Sequence, residues 1–248
     1  MPPMRRLAAT ALLTAGLALP AQAEMTPEER AAFREEVRAY LLENPEVLIE
    51  AMDILQSREE QAAANRDLQM LADNAAVIFE SPDDWVGGNP EGDVVLVEFM
   101  DYRCGYCRKA YSEVEELVKS DGNIRFVVKE FPILGEASLL SSQFAIAVRQ
   151  LHGDAAYKTA HDALIALRGE PTPESLARLA GDMGLEAQPI LDRMTAPEVM
   201  AVIQANHELA DKMEISGTPT FVLKSMMLRG YVPLDAMRQI VEEVRAEG

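Results

Sequence analysis

Residues 93–107 read DVVLVEFMDYRCGYC, and this stretch decides the fold. Its first half, Asp93 to Phe99, is a near-continuous apolar run of the kind found in a strand covered on both faces. Its second half carries the only two cysteines, as Cys104-Gly105-Tyr106-Cys107. Working outward, Arg108 to Val118 reads as a helix and Asn123 to Phe131 (NIRFVVKEF) as a second strand. Strand, helix and strand at this spacing predict a βαβ unit, a parallel pair joined by a right-handed crossover.

Two cysteines this close cannot staple a fold, because the loop they close is too short to restrict the unfolded chain. They can carry chemistry. Both sulfurs fall on the first turn of a helix, where amide dipoles lower a thiol pKa and make a thiolate available. A zinc knuckle needs two more soft ligands at matched spacing, whereas His152, His161 and His207 are scattered singly over helices. Attachment of c-type haem needs histidine after the second cysteine, where Arg108 stands, and an iron–sulfur cluster needs more thiolates. Dithiol–disulfide exchange is the reading that survives, and it calls for no metal and no other cofactor. Position then assigns roles. Cys104, at the helix start, is expected to be the more exposed, attacking thiol; Cys107, one turn further in, the more buried, resolving thiol. Gly105 and Tyr106 shape the turn between them and tune thiolate stability.

Gly217-Thr218-Pro219-Thr220 stands directly before the strand Phe221-Val222-Leu223. Proline at a strand entry is a candidate for a cis peptide bond, with an ordinary trans proline as the alternative. A cis bond would leave the Thr218 backbone free to pair with an extended substrate beside the cysteines. Asp101 and Glu130 are carboxylates that either tune the cysteines or cap local turns. His161 shares an apolar face with Tyr157 and Leu164 and reads as a hydrogen-bonded core residue. Met226-Met227 reads as packing.

The N-terminus has the pattern of a secretory signal peptide. Arg5 and Arg6 precede an apolar run from Leu7 to Leu19, and Ala21-Gln22-Ala23 predicts cleavage before Glu24. The alternative, a membrane anchor, needs about 20 apolar residues, and this run is shorter. Export implies an oxidising compartment, the periplasm. A net charge of −18 argues against nucleic acid as a partner.

Residues 24–80 are expected to form a helical extension. Thr26-Pro27-Glu28-Glu29 is a capping box, and Phe33, Val37, Tyr40 and Leu41 form one stripe. Asn44-Pro45 restarts a helix with Leu48, Met52 and Leu55 on a face. Such polar helices with narrow stripes either fold back on the main domain or pair with copies of themselves. Gly87-Gly88-Asn89-Pro90-Glu91-Gly92 is punctuation that marks a domain boundary. Residues 81–248 form the second domain, interrupted by an all-helical stretch at about 137–213. A second strand of the late hairpin is expected at Met227 to Tyr231, and Lys224-Ser225-Met226-Met227 lacks the usual Gly/Asn turn chemistry.

Together, Phe99 to Cys107, Phe131-Pro132-Ile133-Leu134-Gly135 and Gly217 to Phe221 resemble the DsbA-like thioredoxin superfamily. The helical extension, the Cys-Gly-Tyr-Cys site and the threonine before proline resemble its ScsC-like and Com1-like branch. The resemblance implies an α/β thioredoxin-like fold with a helical insertion and an N-terminal helical extension. It implies Cys104 as nucleophile, Cys107 as resolving thiol and Pro219 as cis-proline preceded by Thr218. It further implies a homotrimer through the N-terminal helices, acting as a disulfide isomerase or reductase on cysteine-containing exported proteins. A membrane redox partner would keep it reduced. A monomeric dithiol oxidase, kept oxidised by its partner, would use the same residues. A periplasmic chaperone or Cu(I)-binding module is the reading from another class.

Overall fold

The computed structural model describes residues 25–247. The signal peptide expected at 1–23 and its cleavage before Glu24 lie outside the described residues. The chain divides into two units, one ending at Glu59 and one spanning Glu60–Gly248.

In the first unit, α1 (Pro27–Glu43) begins at the expected capping box: Thr26 Oγ1 accepts from the Glu29 N–H, and the Glu29 carboxylate accepts from the Thr26 N–H. Asn44 ends it, and α2 (Glu46–Phe79) follows. Phe33, Val37, Tyr40, Leu48, Met52 and Leu55 are all exposed.

The second unit is built on a five-stranded sheet in the order β1-β3-β2-β4-β5. β1 (Trp85–Gly88), β2 (Val94–Met100) and β3 (Ile124–Glu130) form one side, and β4 (Thr220–Leu223) and β5 (Met226–Arg229) the other. β2 and β3 are parallel and joined by α3 (Gly105–Asp121), as the βαβ reading requires; every other pairing is antiparallel. Side chains of β2 alternate between two cores. Val94, Leu96 and Met100 join the core that includes Val114 and Leu117 of α3 and Met237 and Val241 of α9 (Leu234–Glu247). Val97 and Phe99 join the other, with Leu71 and Ile78 from α2 and Leu209 from α8 (Pro197–Lys212). Burial on both faces explains why the strand reads as an unbroken apolar run.

The helical insertion comprises α4 (Glu136–His152), α5 (Asp154–Ala166), α6 (Pro173–Asp182), α7 (Ala187–Met194) and α8. Thr172 caps α6, and prolines open α6 and α8 as their sequence predicts. Among the described residues, no helix is long and apolar enough to cross a membrane.

The C-terminal part of α2 packs with the second unit, where Leu71 and Ile78 are buried beneath the sheet. Two details differ from expectation. The glycine-rich segment read as punctuation contains β1. Gly87 pairs with Phe126 in the strand, and it is glycine because the Trp85 ring lies where a Cβ would stand. β5 begins one residue earlier than expected, closing a two-residue turn at Lys224-Ser225 in which neither residue has positive φ.

Candidate active site

The loop from β2 into α3 delivers the cysteines. Cys104 is the N-cap of α3 with extended backbone (φ −71°, ψ 120°), and Cys107 lies in the first turn. Both are free thiols; Cys104 is 8% exposed and Cys107 1%. The thioredoxin-like topology brings a second segment to them. Pairing of β4 with β2 sets Thr220 opposite Phe99, so the chain just before β4 lies beside the loop that follows β2. The Thr218–Pro219 bond is cis, and in its thiol form Cys104 Sγ donates to the Thr218 carbonyl oxygen at 3.1 Å. A groove of about 220 Å³ runs alongside, lined by Ser216 to Thr220, Arg229 and Gly230. A larger cavity of about 520 Å³ lies around Val94, Val95 and Val244, at the opposite end of β2 from the cysteines.

The two sulfurs are electrostatically unequal. The Cys104 thiol is lowered from its ordinary value of 9.0 to about 5. The largest cause is the hydrogen bond from the Cys107 thiol, which outweighs burial; the Thr218 side chain and the N–H groups of Cys107 and Tyr106 add to it. Cys107 is pushed up, first because its proton is held by Cys104, then by burial and by the charge of Glu98.

Glu98 was not singled out in the sequence, although its signal was there: it is the one charge within the apolar run of β2. Its side chain shares the sheet face of Leu96 and Met100, toward α3, and the residue is 6% exposed. Burial raises its carboxyl to about 8, with the charges of Cys104 and Glu115 adding to the effect.

Asp101 is a fully buried hub. Its carboxylate accepts the Arg103 N–H (2.7 Å), the Ser138 hydroxyl (2.8 Å) and the N–H groups of Ile133 (2.8 Å) and Leu134 (3.1 Å). It ties the cysteine loop to the segment entering α4, which fits the capping reading. Glu130 Oε1 accepts from Tyr102 (2.7 Å) and Tyr157 (2.6 Å), and Tyr102 also meets His161 Nδ1 at 3.0 Å. His161 is thus a hydrogen-bonded core residue, and burial lowers its pKa to about 4. Gly105 is open on its Cβ side. Tyr106 is 62% exposed and stacks on Tyr231 at 6.4 Å, with Lys109 Nζ 3.9 Å from the Tyr231 ring centre. Leu134 (54% exposed) adds a second exposed apolar side chain on the segment that Asp101 anchors. Among the described residues, no group of three or more His, Cys, Asp or Glu side chains gathers where a metal ion would be held.

A thioredoxin-like sheet, a Cys-x-x-Cys helix start and an adjoining cis-proline meet in one site. Residues 80–243 match the family model described as Thioredoxin, and residues 29–62 match the one described as Copper resistance protein ScsC N-terminal domain. The chain belongs to the thioredoxin family. A thioredoxin-like oxidoreductase from Silicibacter pomeroyi DSS-3 is 39% identical, with 69% of this chain and 97% of that one covered at a TM-score of 0.65. The thiol-disulfide exchange protein alpha-DsbA2 from Wolbachia pipientis is 26% identical over 74% of this chain and 98% of its own, at a TM-score of 0.68. Among curated relatives, Na(+)/H(+) antiporter NhaA 1 from Salinispora arenicola is 30% identical over 64% of this chain. The chain spans only 24% of that relative's length.

Proposed function

We propose that this chain is a periplasmic protein thiol–disulfide oxidoreductase that works through Cys104 and Cys107, with its signal peptide removed before Glu24. The observation that carries this is Cys104 Sγ, held toward thiolate at the start of α3 and 3.1 Å from the Thr218 carbonyl oxygen. An extended substrate strand pairs with the Thr218 backbone in the adjoining groove, which sets its cysteine beside Cys104.

The chemistry follows from the inequality of the sulfurs. The Cys104 thiolate attacks one sulfur of a substrate disulfide; that bond breaks, the second substrate sulfur leaves as thiolate, and a mixed disulfide remains. Cys107 then loses its proton to Glu98, whose carboxyl is raised by burial into the range where it exchanges protons near neutrality. The Cys107 thiolate attacks Cys104 Sγ and frees the first substrate sulfur. The substrate gains two electrons and the pair becomes a disulfide. When a substrate thiol attacks the mixed disulfide instead, the outcome is isomerisation with no net redox change. Gly105 and Tyr106 set the turn between the sulfurs.

The isomerase reading draws on the first unit. The exposed stripe of Phe33, Val37 and Tyr40 on α1, with Leu48, Met52 and Leu55 on α2, suits self-association, in which several sites face one misfolded chain. The monomeric oxidase reading draws on the low pKa of Cys104, since a stabilised thiolate makes the disulfide more oxidising. Light scattering on the protein and on a Tyr40→Asp/Met52→Asp variant measures the association. Recovery of a scrambled-disulfide protein, with Cys104→Ala inactive, supports isomerase. No recovery, beside rapid oxidation of a reduced substrate, overturns it. Thiol trapping in the native compartment reads the resting state: reduced for an isomerase, oxidised for an oxidase.

A further inference from the structure

We propose that Glu130, acting through Tyr102, is a positioning residue for the Cys104 thiol. The inference rests on the reading of Cys104 as the attacking thiolate, and it concerns what holds that sulfur in place.

Tyr102 stands two residues before Cys104 and is fully buried. Its hydroxyl donates to Glu130 Oε1 and is met by His161 Nδ1, and its carbonyl oxygen accepts from Arg108 Nε at 2.7 Å. A proton on His161 Nδ1 completes a directed chain from His161 to Tyr102 to Glu130. Glu130 ends β3, while His161 and Tyr157 belong to α5, so a single carboxylate oxygen joins the sheet, the insertion and the cysteine loop. The Glu130 carbonyl oxygen is itself held by Asn206 of α8 at 3.1 Å. This network fixes one flank of the Asp101–Arg103 loop, and Asp101 fixes the other.

Position matters because the Cys104 thiolate is stabilised by the Cys107 thiol and the N–H groups of Cys107 and Tyr106. Hydrogen-bond strength falls steeply with misalignment. If the loop ahead of the N-cap swings, the sulfur leaves the axis of those donors.

Glu130 does this work without needing a charge. The acidic and basic groups near it are Asp101 on the loop, Tyr157 and His161 on α5, Tyr102, and Arg149 on α4 beside Tyr157; none of them forms an ion pair with the Glu130 carboxylate. Glu130 Oε2 is buried without a hydrogen-bond partner, as is Ser142 Oγ, which lies near it but outside hydrogen-bonding geometry. Burial raises the carboxyl to about 7. A proton on Oε2 leaves the buried carboxyl neutral while Oε1 continues to accept from the tyrosines.

The test is the pH titration of Cys104 by thiolate absorbance at 240 nm, with folding checked by near-UV circular dichroism, in wild type, Glu130→Gln, Glu130→Leu and Tyr102→Phe. Glutamine keeps the acceptor oxygen for Tyr102 and carries no charge, so its midpoint stays with wild type. Leucine removes the acceptor and phenylalanine the donor, and the midpoint rises by about one pH unit, a roughly tenfold drop in the thiolate-to-thiol ratio. A role limited to stability lowers Tm in all three and leaves the midpoint alone, which overturns the proposal. A shift in Glu130→Gln as large as in Glu130→Leu overturns it too, since charge would then be the cause. If Glu130→Leu does not fold, Tyr102→Phe, which removes a single oxygen, decides. A wild-type midpoint near 9 refutes the thiolate reading itself.

Discussion

Replacing Cys107 with alanine is expected to raise the pKa of Cys104 more than any other single change at the site. Cys104 is lowered from 9.0 to about 5, and the foremost cause is the Cys107 thiol hydrogen bond rather than the helix amides. A hydrogen bond to a charged group contributes roughly 1.5–3 kcal/mol, equivalent to about one to two pH units at ~1.4 kcal/mol each. Removing it therefore places the Cys104 midpoint at about 6–7. Cys107→Ser is the control, because its hydroxyl also donates, and its midpoint remains closer to wild type. The assay is absorbance at 240 nm against pH on the reduced proteins, with iodoacetamide labelling to locate the titrating sulfur. A Cys107→Ala midpoint still at about 5 refutes the reasoning and moves the cause to the backbone amides and Thr218. Midpoints that rise equally in both variants would show that packing of the sulfur, not its proton, is what counts.

Other consequences concern stability and the second chemical step. Cys104 has a depressed folded-state pKa, so its contribution is full above about pH 9 and is lost as pH falls through about 5. The Tm advantage of reduced protein over the Cys104→Ala variant should shrink across that window, and reduced protein should melt above oxidised protein at pH 7. Glu98 has a raised folded-state pKa, so its ionisation subtracts stability as pH climbs from 4.5 to about 8. Glu98→Gln should gain on wild type in Tm over that range while slowing decay of the mixed disulfide by about 10²-fold, as loss of a general base does; equal decay rates in stopped-flow quench would remove Glu98 from the mechanism. Lys129 and Asp84 form an ion pair with side chains only 1% and 2% exposed, and Lys129 also donates to the Val77 carbonyl oxygen at 2.7 Å. Lys129→Met should cost about 3–5 kcal/mol in urea unfolding by stranding Asp84, and adding Asp84→Leu should recover much of it.

Much of this was readable one residue at a time. The apolar run of β2, the capping box at Thr26 and the Cys-x-x-Cys at a helix start all act within a few residues of themselves. β1 was not readable, because Trp85–Gly88 is a short edge strand whose glycines look like a turn until the Trp85 ring is seen to occupy the space above Gly87. Glu98 was overlooked because a lone acid in an apolar strand has no local partner, and its meaning comes only from what buries it. Asp101 was legible as a cap, but not as the junction of two segments more than thirty residues apart in sequence.

The sequence alone determined most of the helices, the central strands and the place of the cysteine pair at a helix start, since helix caps, hydrophobic period and cysteine spacing are local and physical. Only the tertiary structure decided how those residues act on one another. Antiparallel pairing of β4 with β2 carries the Thr218 carbonyl to 3.1 Å from a sulfur 114 positions away. Closing the sheet beneath α3 strips water from Glu98 and Cys107, and the α5 helix reaches back to Tyr102. Distance and burial set hydrogen bonding and charge stabilisation, and both exist only once the chain is closed.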